Sequence, residues 1–130
     1  MPPGTIFFDL IGLSLYPSYT DGKALENMKQ LGALAKAFPQ QRIYIAETAY
    51  PAAGSKQPEA QFPATPTGQL AYLKAARAAL AEAVPASQFA GLLWWEGDEH
   101  GWNSLFDTDF VARPAMMHGF SGSSNIAVTA

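Results

Sequence analysis

Hydrophobic residues along this chain follow two rhythms, and the alternation between them predicts the order of its elements. From Thr5 to Tyr16 the run TIFFDLIGLSLY is apolar and rich in aromatic and β-branched residues. It reads as a strand stopped by Pro17, which cannot donate a ladder hydrogen bond. Leu25, Met28, Leu31, Ala35 and Phe38 then recur at spacings of three and four. They form the apolar stripe of a helix that Asp21 is placed to cap and Pro39 ends. Arg42–Tyr50 is a second strand. After a Gly- and Pro-containing loop from Pro51 to Ala64, Thr65-Pro66 supplies an N-cap and a first-turn proline. The helix that follows carries Leu70, Leu73, Ala76, Leu80 and Ala83 as its stripe and stops at Pro85. Phe89–Glu96 is the third strand. A polar, aromatic segment and a short helix around Pro114–Phe120 come next.

The order β-α-β-α-β plus a short terminal helix predicts an α/β fold with a parallel sheet and right-handed crossovers. Residues 1–120 are expected to form one domain, and 121–130, with the linker-like sequence SGSSNIAVTA, a flexible tail. Three strands fall short of a closed barrel.

Two strands end on a carboxylate. The run Ile43-Tyr44-Ile45-Ala46 meets Glu47, and Leu92-Leu93-Trp94-Trp95 meets Glu96. In parallel α/β folds the carboxyl ends of strands are where ligands bind and chemistry happens. Glu47 reads either as a surface carboxylate or as a nucleophile or base, with Tyr16 and Tyr50 as candidates to orient it by phenolic hydrogen bonds. Glu96 reads as a second catalytic carboxylate, a ligand for a sugar hydroxyl, or a rim charge. Trp94, Trp95 and Trp102 fit a core or a sugar-stacking surface, and alternation sends Trp94 and Trp95 to opposite faces. His100 reads as solvated loop.

Composition narrows the chemistry. With 130 residues and 48% hydrophobic content, the chain has room for one core. No apolar run approaches the roughly 20 residues that span a bilayer, so no membrane partner is expected. Net charge is −3 with scattered basic residues, which argues against nucleic acid. Zero cysteines exclude disulfides and thiolate nucleophiles, and His100 and His118 form no metal-binding pair, so no metal and no cofactor is expected. The first residues lack a basic segment and a cleavage site, and no compartment is assigned.

Four blocks in order then resemble one family. They are Asp9–Pro17 (DLIGLSLYP), Ile45–Pro51 (IAETAYP), Phe62–Gln69 (FPATPTGQ) and Gly91–Glu96 (GLLWWE), and together they resemble arabinogalactan endo-β-1,4-galactanases of glycoside hydrolase family 53. The likeness runs from about Phe8 to Phe120, with Asn103–Asp107 (NSLFD) resembling the segment after the last strand. Because that family has retaining (β/α)₈ barrels, the resemblance implies a partial barrel whose three parallel strands correspond to the sixth, seventh and eighth. It further implies that Glu47 is the nucleophile and that the substrate is a β-galactan or related oligosaccharide. Leu15 stands where the family pattern has a first tyrosine, and Gly97 where a proline usually follows the last glutamate. The family's general acid/base lies in an Asn-Glu pair on the fourth strand, and no such pair occurs in this chain.

Glu96 is therefore a candidate substitute acid/base, and Ser14, Tyr16, Tyr50, Trp95 and Trp102 are the candidate sugar contacts. An open sheet would leave edges and an apolar face exposed, so a homo-oligomer is expected. Alternative readings are a hydrolase of different specificity at an oligomer interface and a catalytically silent module that binds sugar or self-assembles.

Overall fold

Two β-α-β units sharing their middle strand build the sheet. The computed structural model describes residues 7–54, 60–95, 103–114, 116, 119 and 126–128. Strand β1 (Leu10–Ser14) is followed by a 3₁₀ turn (Pro17–Tyr19), α1 (Ala24–Ala37), β2 (Arg42–Thr48), α2 (Pro66–Ala83), β3 (Phe89–Trp94) and β4 (Ile126–Val128). All neighbours pair in parallel, in the order β1-β2-β3-β4, and the sheet is not closed.

Strand β1 begins five residues later than its apolar run suggests. Its partner decides this: Arg42 pairs with Leu10 and donates its N–H to the Asp9 carbonyl, while Pro39 to Gln41 form a turn that offers no further ladder. Asp21 does not cap α1. It stands at φ 50°, followed by Gly22 at φ 74°, and the helix opens after Lys23 with no side-chain cap bond. A capping side chain needs an extended backbone at its own position, and Asp21 is spent on a left-handed turn instead.

Helix α2 starts as expected. Thr65 Oγ1 accepts from Gly68 N–H at 3.1 Å, with Pro66 in the first turn. Gly68 is needed there, because a Cβ would lie 1.8 Å from the Pro63 carbonyl oxygen. The segment read as a tail contains β4, whose Ile126 pairs with Leu92 and Val128 with Trp94. Pro114, Met116 and Gly119 are helical.

The core lies between the helices and one face of the sheet. Met28 and Leu31 of α1, Ile43 and Ile45 of β2, Leu73 and Leu80 of α2, and Leu92 and Trp94 of β3 are buried together. The other face is thinly covered. Leu10 is 51% exposed, and the Tyr44 ring lies over Gly12, where a Cβ would come within 2.7 Å of it.

Candidate active site

Strand β2 carries one residue more than either neighbour just before its end. Toward β1, Leu13 pairs with Ile45 and Ser14 with Glu47; toward β3, Ile45 pairs with Leu92 and Thr48 with Trp94. Both ladders therefore skip at Ala46–Glu47, the signature of a β-bulge. Its effect on side-chain direction is decisive. Ile43 and Ile45 point into the core, so strict alternation would send Glu47 beneath the helices. The bulge changes the phase: Thr48 goes into the core, fully buried, and Glu47 stays half-buried beside Ser14 on the thinly covered face. A carboxylate buried against Ile45 and Leu92 without a partner would be costly, and the bulge avoids it.

The Tyr16 hydroxyl donates to Glu47 Oε2 at 3.2 Å, which fixes the carboxylate from one side. Tyr19 packs edge-on against Tyr16, with centroids 5.5 Å apart. On the other flank, Trp95 donates its backbone N–H to the Thr48 carbonyl. Trp94 is fully buried while Trp95 is 41% exposed, so the two do face opposite ways, and Trp95 shares the face of Glu47. The structure thus brings together Ser14, Tyr16, Glu47 and Trp95 at the carboxyl end of adjacent strands. Glu96 and Trp102 lie outside the described residues, as does His100.

Tyr50 goes elsewhere. It is fully buried, stacked on Tyr72 with centroids 4.6 Å apart, and its hydroxyl donates to the Phe62 carbonyl at 2.6 Å. Its role is to anchor the loop before α2, because after Thr48 the chain turns into the core rather than along the open face. Among the described residues no group of three or more His, Asp or Glu could hold a metal ion.

A buried polar latch beneath the site escapes the sequence reading. Gln69 Nε2 donates to the carbonyls of Tyr50 and Asn103, both at 2.9 Å. Asn103 in turn donates to the Trp95 carbonyl at 2.6 Å and accepts from Trp94 Nε1 at 3.1 Å. One amide thereby ties the segments that follow β2 and β3. The available signal is that Gln69 falls on the apolar stripe, four residues before Leu73, where a polar side chain must have buried partners. Gln69→Leu keeps the apolar stripe but removes the Gln69 donor from the Tyr50 carbonyl and leaves the Asn103 carbonyl with Trp94 Nε1, and the protein is expected to lose about 2 kcal/mol of stability. Urea unfolding reads this directly, and a loss below about 1 kcal/mol would contradict the latch.

The profile of glycosyl hydrolase family 53 matches residues 4–119. An arabinogalactan endo-β-1,4-galactanase of Cellvibrio japonicus is 31% identical over an alignment of 104 positions that covers 72% of this chain and 26% of that protein. A probable arabinogalactan endo-β-1,4-galactanase A of Aspergillus terreus is 37% identical over an alignment of 98 positions that covers 68% of this chain and 26% of its own length. The chain thus spans about a quarter of these relatives. Among solved structures, a fungal β-1,4-galactanase superposes with a TM-score of 0.67 at 22% identity, over 86% of this chain and 37% of that one. A thermostable mutant of a Cellvibrio japonicus xylanase gives 0.54 at 19% identity, over 85% and 38%. At such identities the likeness is one of fold: the three strands and two helices match part of a galactanase barrel.

Proposed function

This chain belongs to glycosyl hydrolase family 53, and from that premise we propose that it carries the nucleophilic part of a galactanase-like active site acting on β-galactosidic bonds. In this reading a Glu47 oxygen attacks the anomeric carbon as the glycosidic C–O bond breaks, forming a glycosyl ester with Glu47. A general acid protonates the departing oxygen. Water, deprotonated by that same group, then cleaves the ester and restores the original configuration.

The observation that supports this best is the bulge. It sets Glu47 on the face shared by Ser14 and Trp95, with Tyr16 holding one carboxylate oxygen at 3.2 Å. The phenol orients the carboxylate, and the indole of Trp95 offers an apolar surface for a pyranose ring. Glu96 is the proposed source of the proton. It follows Trp95 directly in the sequence, and a retaining mechanism needs a second carboxyl group beside the nucleophile. Hydrolysis of a nitrophenyl β-galactoside, with Glu47→Gln as control, tests the reading.

The open sheet favours self-association alongside this chemistry. Leu10 on the edge strand is half exposed, and Phe7 before it is 70% exposed. Copies that meet through this edge would cover apolar surface and unpaired backbone groups together. Light scattering at micromolar concentration is expected to show a dimer or larger species, and a stable monomer would overturn the expectation.

A further inference from the structure

The side chain that follows Glu47 is as unusual as Glu47 itself. Thr48 is fully buried, and its Oγ1 lies 3.0 Å from the hydroxyl of Tyr72, also fully buried, which reaches down from α2. Tyr72 is held in turn by stacking on Tyr50 and by an edge contact with Trp94 at 6.5 Å. Two hydroxyls in a core made of Ile45, Leu73, Leu80 and Leu92 are costly to desolvate, and a valine–phenylalanine pair would fill the same space. A directional bond adds what packing alone lacks, a fixed register. This one sits at the first position beyond the bulge, where the ladder is reset. On either side the backbone is pinned as well: the Glu47 carbonyl accepts from Leu15 N–H and the Thr48 carbonyl from Trp95 N–H, each at 2.9 Å.

We propose that Thr48 and Tyr72 are positioning residues whose mutual hydroxyl bond fixes the phase of β2 beyond its bulge and so aims Glu47 at the substrate. Neither touches the sugar, and both act through Glu47. Their catalytic effect rests on the reading of Glu47 as nucleophile, whereas their effect on geometry does not.

Thr48→Val and Tyr72→Phe each remove one hydroxyl at nearly constant volume. Either is expected to lower kcat on a nitrophenyl β-galactoside about 10-fold while KM stays within about two-fold, because small misplacements of a reacting group act on the chemical step. Thr48→Ser keeps the hydroxyl and should restore kcat to within about two-fold of the parent. The double variant should be no slower than either single one, since both break the same bond. NMR supplies a readout that needs no turnover: contacts between the Tyr16 ring and the Glu47 side chain should weaken in Thr48→Val and Tyr72→Phe and persist in Thr48→Ser. Unchanged kcat in an active protein, a loss that Thr48→Ser fails to restore, additive losses, or Tyr16–Glu47 contacts unaffected by either variant would each overturn the proposal. So would failure of both single variants to fold, which makes the bond a structural one. Absence of turnover in the parent would instead remove the nucleophile reading and leave the NMR test standing.

Discussion

Glu47→Gln is expected to lower hydrolysis of a nitrophenyl β-galactoside by about 10³-fold or more while leaving the fold intact. Glutamine matches glutamate in shape, and its amide oxygen still accepts the hydrogen bond from Tyr16. What disappears is the proposed nucleophile, since a neutral amide does not form a glycosyl ester under these conditions. Stability should hardly change, because Glu47 is half-buried on the thinly covered face and belongs to no part of the packed core. Circular dichroism and thermal unfolding of the variant therefore serve as the control. Activity that survives the substitution would locate the chemistry elsewhere.

The second large effect concerns the leaving group. A retaining mechanism needs an acid as well as a nucleophile, and general acid–base assistance contributes roughly 10²–10⁴-fold. Nitrophenolate departs with little help, whereas a sugar hydroxyl must be protonated as the bond breaks. If Glu96 supplies the proton, Glu96→Gln should lower cleavage of galactan oligosaccharides by about 10²–10⁴-fold and leave the nitrophenyl galactoside within a few-fold of the parent. Equal losses on both substrates would remove Glu96 from that role. Turnover of nitrophenyl galactoside without any turnover of oligosaccharide, in the parent itself, would mean that no acid is supplied within these 130 residues.

Most of the scaffold is legible in the pattern of the chain. The stripes of α1 and α2 and the Thr65-Pro66 helix start are local features, settled by spacing and by one side chain bonding to a nearby N–H. Parallel pairing follows from alternation of strand and helix. The misreadings are cases where a distant partner decides. Strand β1 is shortened by the turn at Pro39–Gln41, and β4 is a three-residue strand that exists only because β3 offers an edge. Asp21 has the chemistry of a cap but the backbone of a turn.

The candidate site divides in the same way. Glu47 and Trp95 stand out because a buried strand has no structural use for a carboxylate or an exposed indole at its end. The bulge is illegible, since IYIAET alternates smoothly on paper and the extra residue shows only against β1 and β3. For the same reason Tyr50, close to Glu47 in sequence, proves to be a core residue bonded to Phe62, while Tyr16, 31 positions away, is the one that holds the carboxylate.

The most direct measurement is covalent trapping. A 2-deoxy-2-fluoro β-galactoside with a good leaving group forms the glycosyl ester readily and releases it slowly, because fluorine destabilises the oxocarbenium-like transition state of each step. Incubation followed by peptide mass analysis should show one fluorogalactosyl unit, carried on Glu47 and absent from Glu47→Gln. An adduct on another residue, or hydrolysis that proceeds with no adduct at all, would contradict the account.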